Sequence, residues 1–208
     1  MRRVLLALGL TFALATTAFA TTGSNQEPSY RMVEPAVQTS TETIDVLNFF
    51  AYTCGHCQRL APFFDDWAKK APKDVTVHNV PVAWDASTAF LSRIYYTFEA
   101  LGRLEDLHPQ FWQDLLDGKI TAESDLDAWL KAQGVDRKTW DNAYRSFSVS
   151  LRVQQASELW QAYKLDATPY IGVAGKYLTA PHMAGSYQKT LTVLNELIDL
   201  ERKNRAKR

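Results

Sequence analysis

The chain has 208 residues, with 23 Lys and Arg set against 23 Asp and Glu for a formal net charge of zero. That balance offers no electrostatic footprint for nucleic acid or an anionic membrane, and 46% hydrophobic residues suffice for the core of one domain, or of one domain carrying an insertion. With two cysteines in all, it is not a scaffold stapled by disulfides.

The first 20 residues read as a cleavable export signal. Arg2-Arg3 precede the apolar run Val4 to Ala15, and Ala18-Phe19-Ala20 supplies small residues where cleavage after Ala20 is expected. A membrane anchor fits less well, because Thr11, Thr16 and Thr17 interrupt a segment already short of the roughly 20 apolar residues a spanning helix needs. The paired arginines stand without the rest of a twin-arginine signal, and no cysteine near the cleavage point offers a lipid anchor. Export would place the rest in an oxidising compartment.

Residues 21–86 are expected to form the first part of the main domain. A loose lead-in from Thr21 to Pro28 is followed by a short edge strand at Tyr30 to Val33, closed by Pro35. Ile44 to Tyr52 is almost continuously apolar, the pattern of a central strand buried on both faces. Leu60, Phe63, Phe64 and Trp67 recur at helical spacing, predicting an amphipathic helix that starts at or just before Cys54 and is kinked at Pro62. Val75 to Val82 alternates as the next strand, which makes this part of the sheet parallel around a βαβ unit.

Residues 87–148 change to helical periodicity punctuated at Gly102, His108-Pro109, Gly118 and Gly134, predicting an all-helical insert with Asp125 and Asp136 as helix caps. The main domain resumes over 149–208. It should hold a helix at Leu151 to Tyr163, two strands joined across Ala174-Gly175, and a closing helix from Tyr187 to Leu200. The basic tail Arg202 to Arg208 is expected to be the solvated, frayed end of that helix.

Cys54-Gly55-His56-Cys57 sits where the central strand hands over to the first helix. Disulfide exchange needs an exposed thiolate and a second thiol within reach to resolve the mixed disulfide. At a helix N-terminus, free N–H groups and the positive end of the dipole favour a negative sulfur on Cys54, while Cys57 lies one turn in and is more shielded. His56 can add a donor or a positive charge. Whatever stabilises the thiolate stabilises the dithiol, so the pair is expected to be an oxidant. A zinc site would need four ligands, and His78, His108 and His182 form no ligand pair with it; these three histidines are read as ordinary structural residues without chemical companions. No metal and no organic cofactor is called for.

The ordered set of export signal, Phe49 to Cys57, helix, strand, helical insert, Ala167-Thr168-Pro169 and Val173 to Tyr177 resembles the DsbA family of periplasmic disulfide oxidases. The resemblance runs from Tyr30 to Leu200 and implies an α/β thioredoxin fold, a central mixed sheet flanked by helices, with an inserted all-helical subdomain. It implies Cys54 as the nucleophile, Cys57 as its buried partner, His56 as the thiolate-stabilising residue, and Pro169 as a cis-proline facing the disulfide. Thr168 would then offer backbone groups to a substrate strand and its hydroxyl to Cys54. Its partners would be thiols of newly exported proteins and a DsbB-type inner-membrane reoxidant. Three positions depart from the best-known members: Gly55 stands in place of proline, Asn48 where a buried acid is usual, and Thr168 where some have valine. Gly55 and Thr168 suggest, as an alternative, an isomerase or reductase of the same fold, although the short stretch before Ile44 leaves no room for the dimerisation domain of periplasmic isomerases, and a monomer is expected. A non-enzymatic chaperone, with incidental cysteines, is the alternative from another class.

Overall fold

A computed structural model describes residues 28–207, so the predicted export signal and its cleavage site lie outside the described residues. Five strands form one mixed sheet in the order β1-β5-β4-β2-β3: β1 Tyr30–Met32, β2 Ile44–Phe50, β3 Val75–Pro81, β4 Tyr170–Val173 and β5 Tyr177–Thr179. β2 is central, parallel to β3 through the expected βαβ crossover and antiparallel to β4, and β1 and β4 each run antiparallel to β5.

Burial on both faces accounts for the largely apolar run of β2, which Asp45 and Asn48 interrupt. Ile44 and Val46 pack with Leu60 and Phe64 of α1 (Gly55–Ala68) and with Leu194 and Ile198 of α8 (Tyr187–Arg205). Leu47 and Phe49 face the opposite layer, a helical block of α2 (Ala86–Ala100), α3 (Leu104–Leu116), α4 (Glu123–Ala132), α5 (Arg137–Tyr144) and α6 (Phe147–Ala162). The fold is thus the thioredoxin-like mixed sheet with an inserted helical region. α6 starts at Phe147, so the expected junction after residue 148 falls inside a single helix that runs from the insert back toward the sheet. A four-residue helix, α7 (Pro181–Ala184), precedes α8 and had no sequence expectation attached to it.

Local signals explain most boundaries. β4 and β5 meet in the expected tight turn, with Ala174 and Gly175 both at positive φ (52° and 68°) and Lys176 N–H returning to the Val173 carbonyl at 3.0 Å. α1 continues through Pro62. Asp136 caps α5 by accepting the Thr139 amide, as expected. Asp125 does not cap from the N-cap position. It lies in the first turn of α4 and reaches back to accept the amides of Thr121 (2.8 Å) and Ala122 (2.9 Å).

The basic tail is also corrected. α8 stays helical to Arg205, where a frayed end was expected beyond Leu200. Arg202 forms a two-pronged pair with Asp74 at 2.7 and 2.8 Å, and Arg205 donates to the carbonyls of Ser40, Thr41 and Thr43 at 3.0–3.1 Å. Glu201, 1% exposed, holds Lys176 at 2.6 Å and Arg205 at 3.1 Å. Pairing with chain segments far away in sequence orders a stretch whose composition alone reads as solvated.

Candidate active site

The site begins with a turn off β2, where Cys54 N–H bonds the Ala51 carbonyl at 3.0 Å. Cys54 is the N-cap of α1, and its Sγ accepts the Cys57 amide at 3.1 Å, the task a Ser or Asp side chain performs at most helix starts. No carboxylate occupies the first turn, so nothing negative competes for its free N–H groups. Cys54 and Cys57 are disulfide-bonded, with Cα atoms 5.2 Å apart. Cys57 is 3% exposed and Cys54 partly exposed, so one sulfur of the pair is open to attack and the other is shielded.

The sheet brings Thr168 and Pro169 to this point. Because β4 runs antiparallel to β2 with Tyr170 opposite Phe49, the residues just before β4 land beside the residues just after β2. The Thr168-Pro169 peptide bond is cis, and the Thr168 carbonyl lies 3.4 Å from Cys54 Sγ. A disulfide sulfur has no hydrogen to give; in the dithiol form a Cys54 S–H could donate to that oxygen. It is the carbonyl of Thr168, where the resemblance implied the hydroxyl, that makes this contact.

His56 is exposed on the first turn of α1 and meets two residues that the sequence had not singled out. Its Nδ1 lies 3.0 Å from Tyr187 Oη and 3.2 Å from Arg59 Nη2, and Arg59 Nε–H donates to Tyr187 Oη at 3.0 Å. Arg59, three residues on from His56 along one helix face, was within reach of a spacing argument. Tyr187 opens α8, and only the fold brings it here; its ring stacks on Phe63 at 6.1 Å.

Beneath the site the insert closes on the end of β2. Trp112 Nε1–H donates to the Tyr52 carbonyl at 2.8 Å, and Tyr52 Oη lies 2.7 Å from His108 Nδ1. Burial holds the Tyr52 hydroxyl well above its usual titration range, and burial pushes His108 down to about 4. At neutral pH one hydrogen is therefore shared between a neutral phenol and a neutral imidazole. His108, expected to lack a companion, has one, but its partner is the polar end of a buried tyrosine.

Asn48 faces the gap between α1 and α3, a cleft of about 580 Å³ whose walls include Phe50, Ala61, Tyr95 and Trp112. Asn48 Nδ2–H donates to Asn79 Oδ1 at 2.8 Å, and the pair is uncharged. Among the described residues no three His, Cys, Asp or Glu side chains are arranged to hold a metal ion.

Residues 31–95 match the family model described as Thioredoxin. The chain is 41% identical over 199 residues to the thiol:disulfide interchange protein DsbA of Bordetella parapertussis, covering 91% of this chain and 92% of that one. It is 32% identical over 198 residues to the protein of the same description from Burkholderia cepacia, covering 94% and 93%. Its structure superposes on the crystal structure of Pseudomonas aeruginosa DsbA with a TM-score of 0.80 at 26% identity, over 87% of this chain and 95% of that one.

Proposed function

The chain belongs to the DsbA family of thiol:disulfide interchange proteins, and from that premise we propose that it works in the periplasm as an oxidant, handing its Cys54–Cys57 disulfide to thiols of newly exported proteins. The observation that carries this is the unequal exposure of the two sulfurs at a carboxylate-free helix N-terminus. A substrate thiolate attacks Cys54 Sγ along the S–S axis. The Cys54–Cys57 bond breaks, Cys57 leaves as a thiolate and takes a proton, and a mixed disulfide joins the substrate to Cys54. A second substrate thiolate then attacks the substrate sulfur and Cys54 leaves. The substrate has lost two electrons and two protons, and the enzyme is a dithiol. The leaving group is the sulfur that the amide of Cys57 and the N-terminus of α1 are placed to stabilise, which favours the oxidising direction.

In this reading Thr168 and Pro169 border the place where an extended substrate segment lies beside Cys54, with the Thr168 backbone available to pair with it. His56 serves the Cys54 sulfur from within the loop. A DsbB-type membrane protein takes up the two electrons and restores the disulfide. Residues 1–20 form the cleaved export signal, 87–148 the helical insert, and 21–86 with 149–208 the thioredoxin-fold body.

The test is the equilibrium of the Cys54–Cys57 couple in graded glutathione buffers, with free thiols trapped by a mass-tagged alkylating agent. A potential more oxidising than about −180 mV, that of protein disulfide isomerase, is expected for an oxidase. A value near about −270 mV, where thioredoxin lies, would make the protein a reductase instead.

A further inference from the structure

The contacts among His56, Arg59 and Tyr187 favour one arrangement of protons. A guanidinium has only donors, so Arg59 Nη2 at 3.2 Å from His56 Nδ1 requires that nitrogen to accept. Arg59 Nε–H also donates to Tyr187 Oη at 3.0 Å, and Tyr187 Oη lies 3.0 Å from the same Nδ1, whose single lone pair one donor at a time can occupy. With the Arg59 bond made, Nδ1 is the acceptor and the ring hydrogen sits on Nε2. A second observation places the cation itself. A Cβ built on Gly55 would stand 3.6 Å from Arg59 Nη1, so the guanidinium lies folded over the glycine that separates Cys54 from His56.

We propose that Arg59 and Tyr187 are positioning residues for the redox centre: they clamp His56 as a neutral Nε2–H donor, and Arg59, lying over Gly55, supplies the positive charge that favours a Cys54 thiolate. Tyr187, braced by its stack on Phe63, fixes the guanidinium in place. Gly55 leaves that space open: a Cβ there would sit in ordinary contact with Arg59 Nη1 at 3.6 Å, and only a longer side chain would compete with the guanidinium. Stabilising the Cys54 thiolate stabilises the dithiol and makes the disulfide a stronger oxidant. All three side chains border solvent, so screening limits the effect to a modest one.

This inference rests on the oxidant reading above, and the two can fail separately. The glutathione equilibrium constant of the unaltered protein tests the oxidant reading; the ratios of variant to parent test the clamp. Arg59→Gln removes the charge. Tyr187→Phe removes only the hydroxyl and keeps the ring on Phe63. Arg59→Gln is expected to make the disulfide about fivefold easier to keep, and Tyr187→Phe about twofold, with the two effects less than additive when combined. ¹⁵N NMR of the His56 ring in the oxidised protein should show an unprotonated Nδ1 in the parent and a mixture of tautomers in both variants, a signature that loss of packing alone would not produce. Both variants should melt with the parent, which keeps the comparison interpretable. An Nδ1-protonated ring in the parent, or an equilibrium constant for Arg59→Gln indistinguishable from the parent's, would overturn the clamp even where the parent is a strong oxidant.

Discussion

The Sγ of Cys54 accepts the backbone N–H of Cys57 at 3.1 Å, so the more exposed sulfur of the disulfide is also the cap of the helix that carries the buried one. Redox state and helix capping are therefore properties of one atom. In the reduced protein, Cys54→Ser keeps an oxygen cap and Cys54→Ala does not. The alanine variant should be less stable than the serine variant by about 1 kcal/mol in denaturant unfolding, although both are inactive. Equal stabilities would remove the capping role. Cys57→Ser, left with a lone Cys54 thiol, should instead trap disulfide-bonded substrate on non-reducing gels: the Cys54 thiolate attacks the substrate disulfide, one substrate sulfur leaves as a thiol, and no Cys57 thiol remains to displace the other.

His108 makes stability depend on pH. Its folded-state value lies near 4, below the ordinary histidine value of about 6.5, because burial disfavours the charged ring. Between these values the unfolded chain binds a proton that the folded one refuses, so stability contributed by the neutral ring is full above about pH 6.5 and is lost as pH falls toward 4. The limiting loss is about 3 kcal/mol from the shift, and less in practice because the ring keeps an exposed edge. Urea unfolding at pH 7 and pH 4.5 should show the drop in the parent and a smaller one in His108→Gln. A drop of the same size in both would assign it to other groups.

Glu201 faces Lys176 and Arg205 while itself 1% exposed. Glu201→Ala leaves both cations without that carboxylate and should cost about 3 kcal/mol, near the low end for a broken buried pair because the cations are partly solvated. Thermal melts of the oxidised protein give the comparison. A loss under about 1 kcal/mol would mean that the cations relax into solvent.

Gly175 and Gly118 both sit at positive φ, 68° and 72°, but their surroundings differ. A Cβ on Gly175 would run into the Val37 carbonyl, whereas one on Gly118 would meet nothing within 4 Å. Gly118→Ala should cost about 1 kcal/mol from backbone conformation alone. Gly175→Ala should cost clearly more, because the Val33–Val37 segment must move and that segment donates Val37 N–H to the Gly175 carbonyl at 2.8 Å. Similar costs would show that the segment yields easily.

Sequence patterns revealed what local rules control. The run Ile44 to Phe50 announced a strand covered on both faces, the apolar spacing after Cys57 announced α1, and Ala174-Gly175 announced a two-residue turn. The C-x-x-C spacing, with no other cysteine in the sequence, paired Cys54 with Cys57. Contacts between distant segments were not legible. Tyr187 reaches His56 across 131 positions, and Arg202 reaches Asp74 across 128. Composition read the second as a solvated tail because charge balance along the chain says nothing about pairing across it. His108 looked companionless for the same reason, since its partner Tyr52 lies on a different element 56 residues away.

The hydrogen bond from Trp112 to the Tyr52 carbonyl bears on how far this protein could be reduced to a minimal module. Tyr52 belongs to the thioredoxin-fold body, two residues before the reactive cysteine, yet its carbonyl and hydroxyl are both satisfied by the insert, and its ring packs against Phe111 and Trp112. Excising the inserted helices α2–α6 is expected not to return a smaller working domain. It would expose Phe50 and Tyr52 to water and strip Tyr52 of two hydrogen-bond partners at the base of the loop that bears the disulfide. The insert is architecturally an addition and energetically part of the foundation, so engineering a compact version means redesigning the floor of the active site.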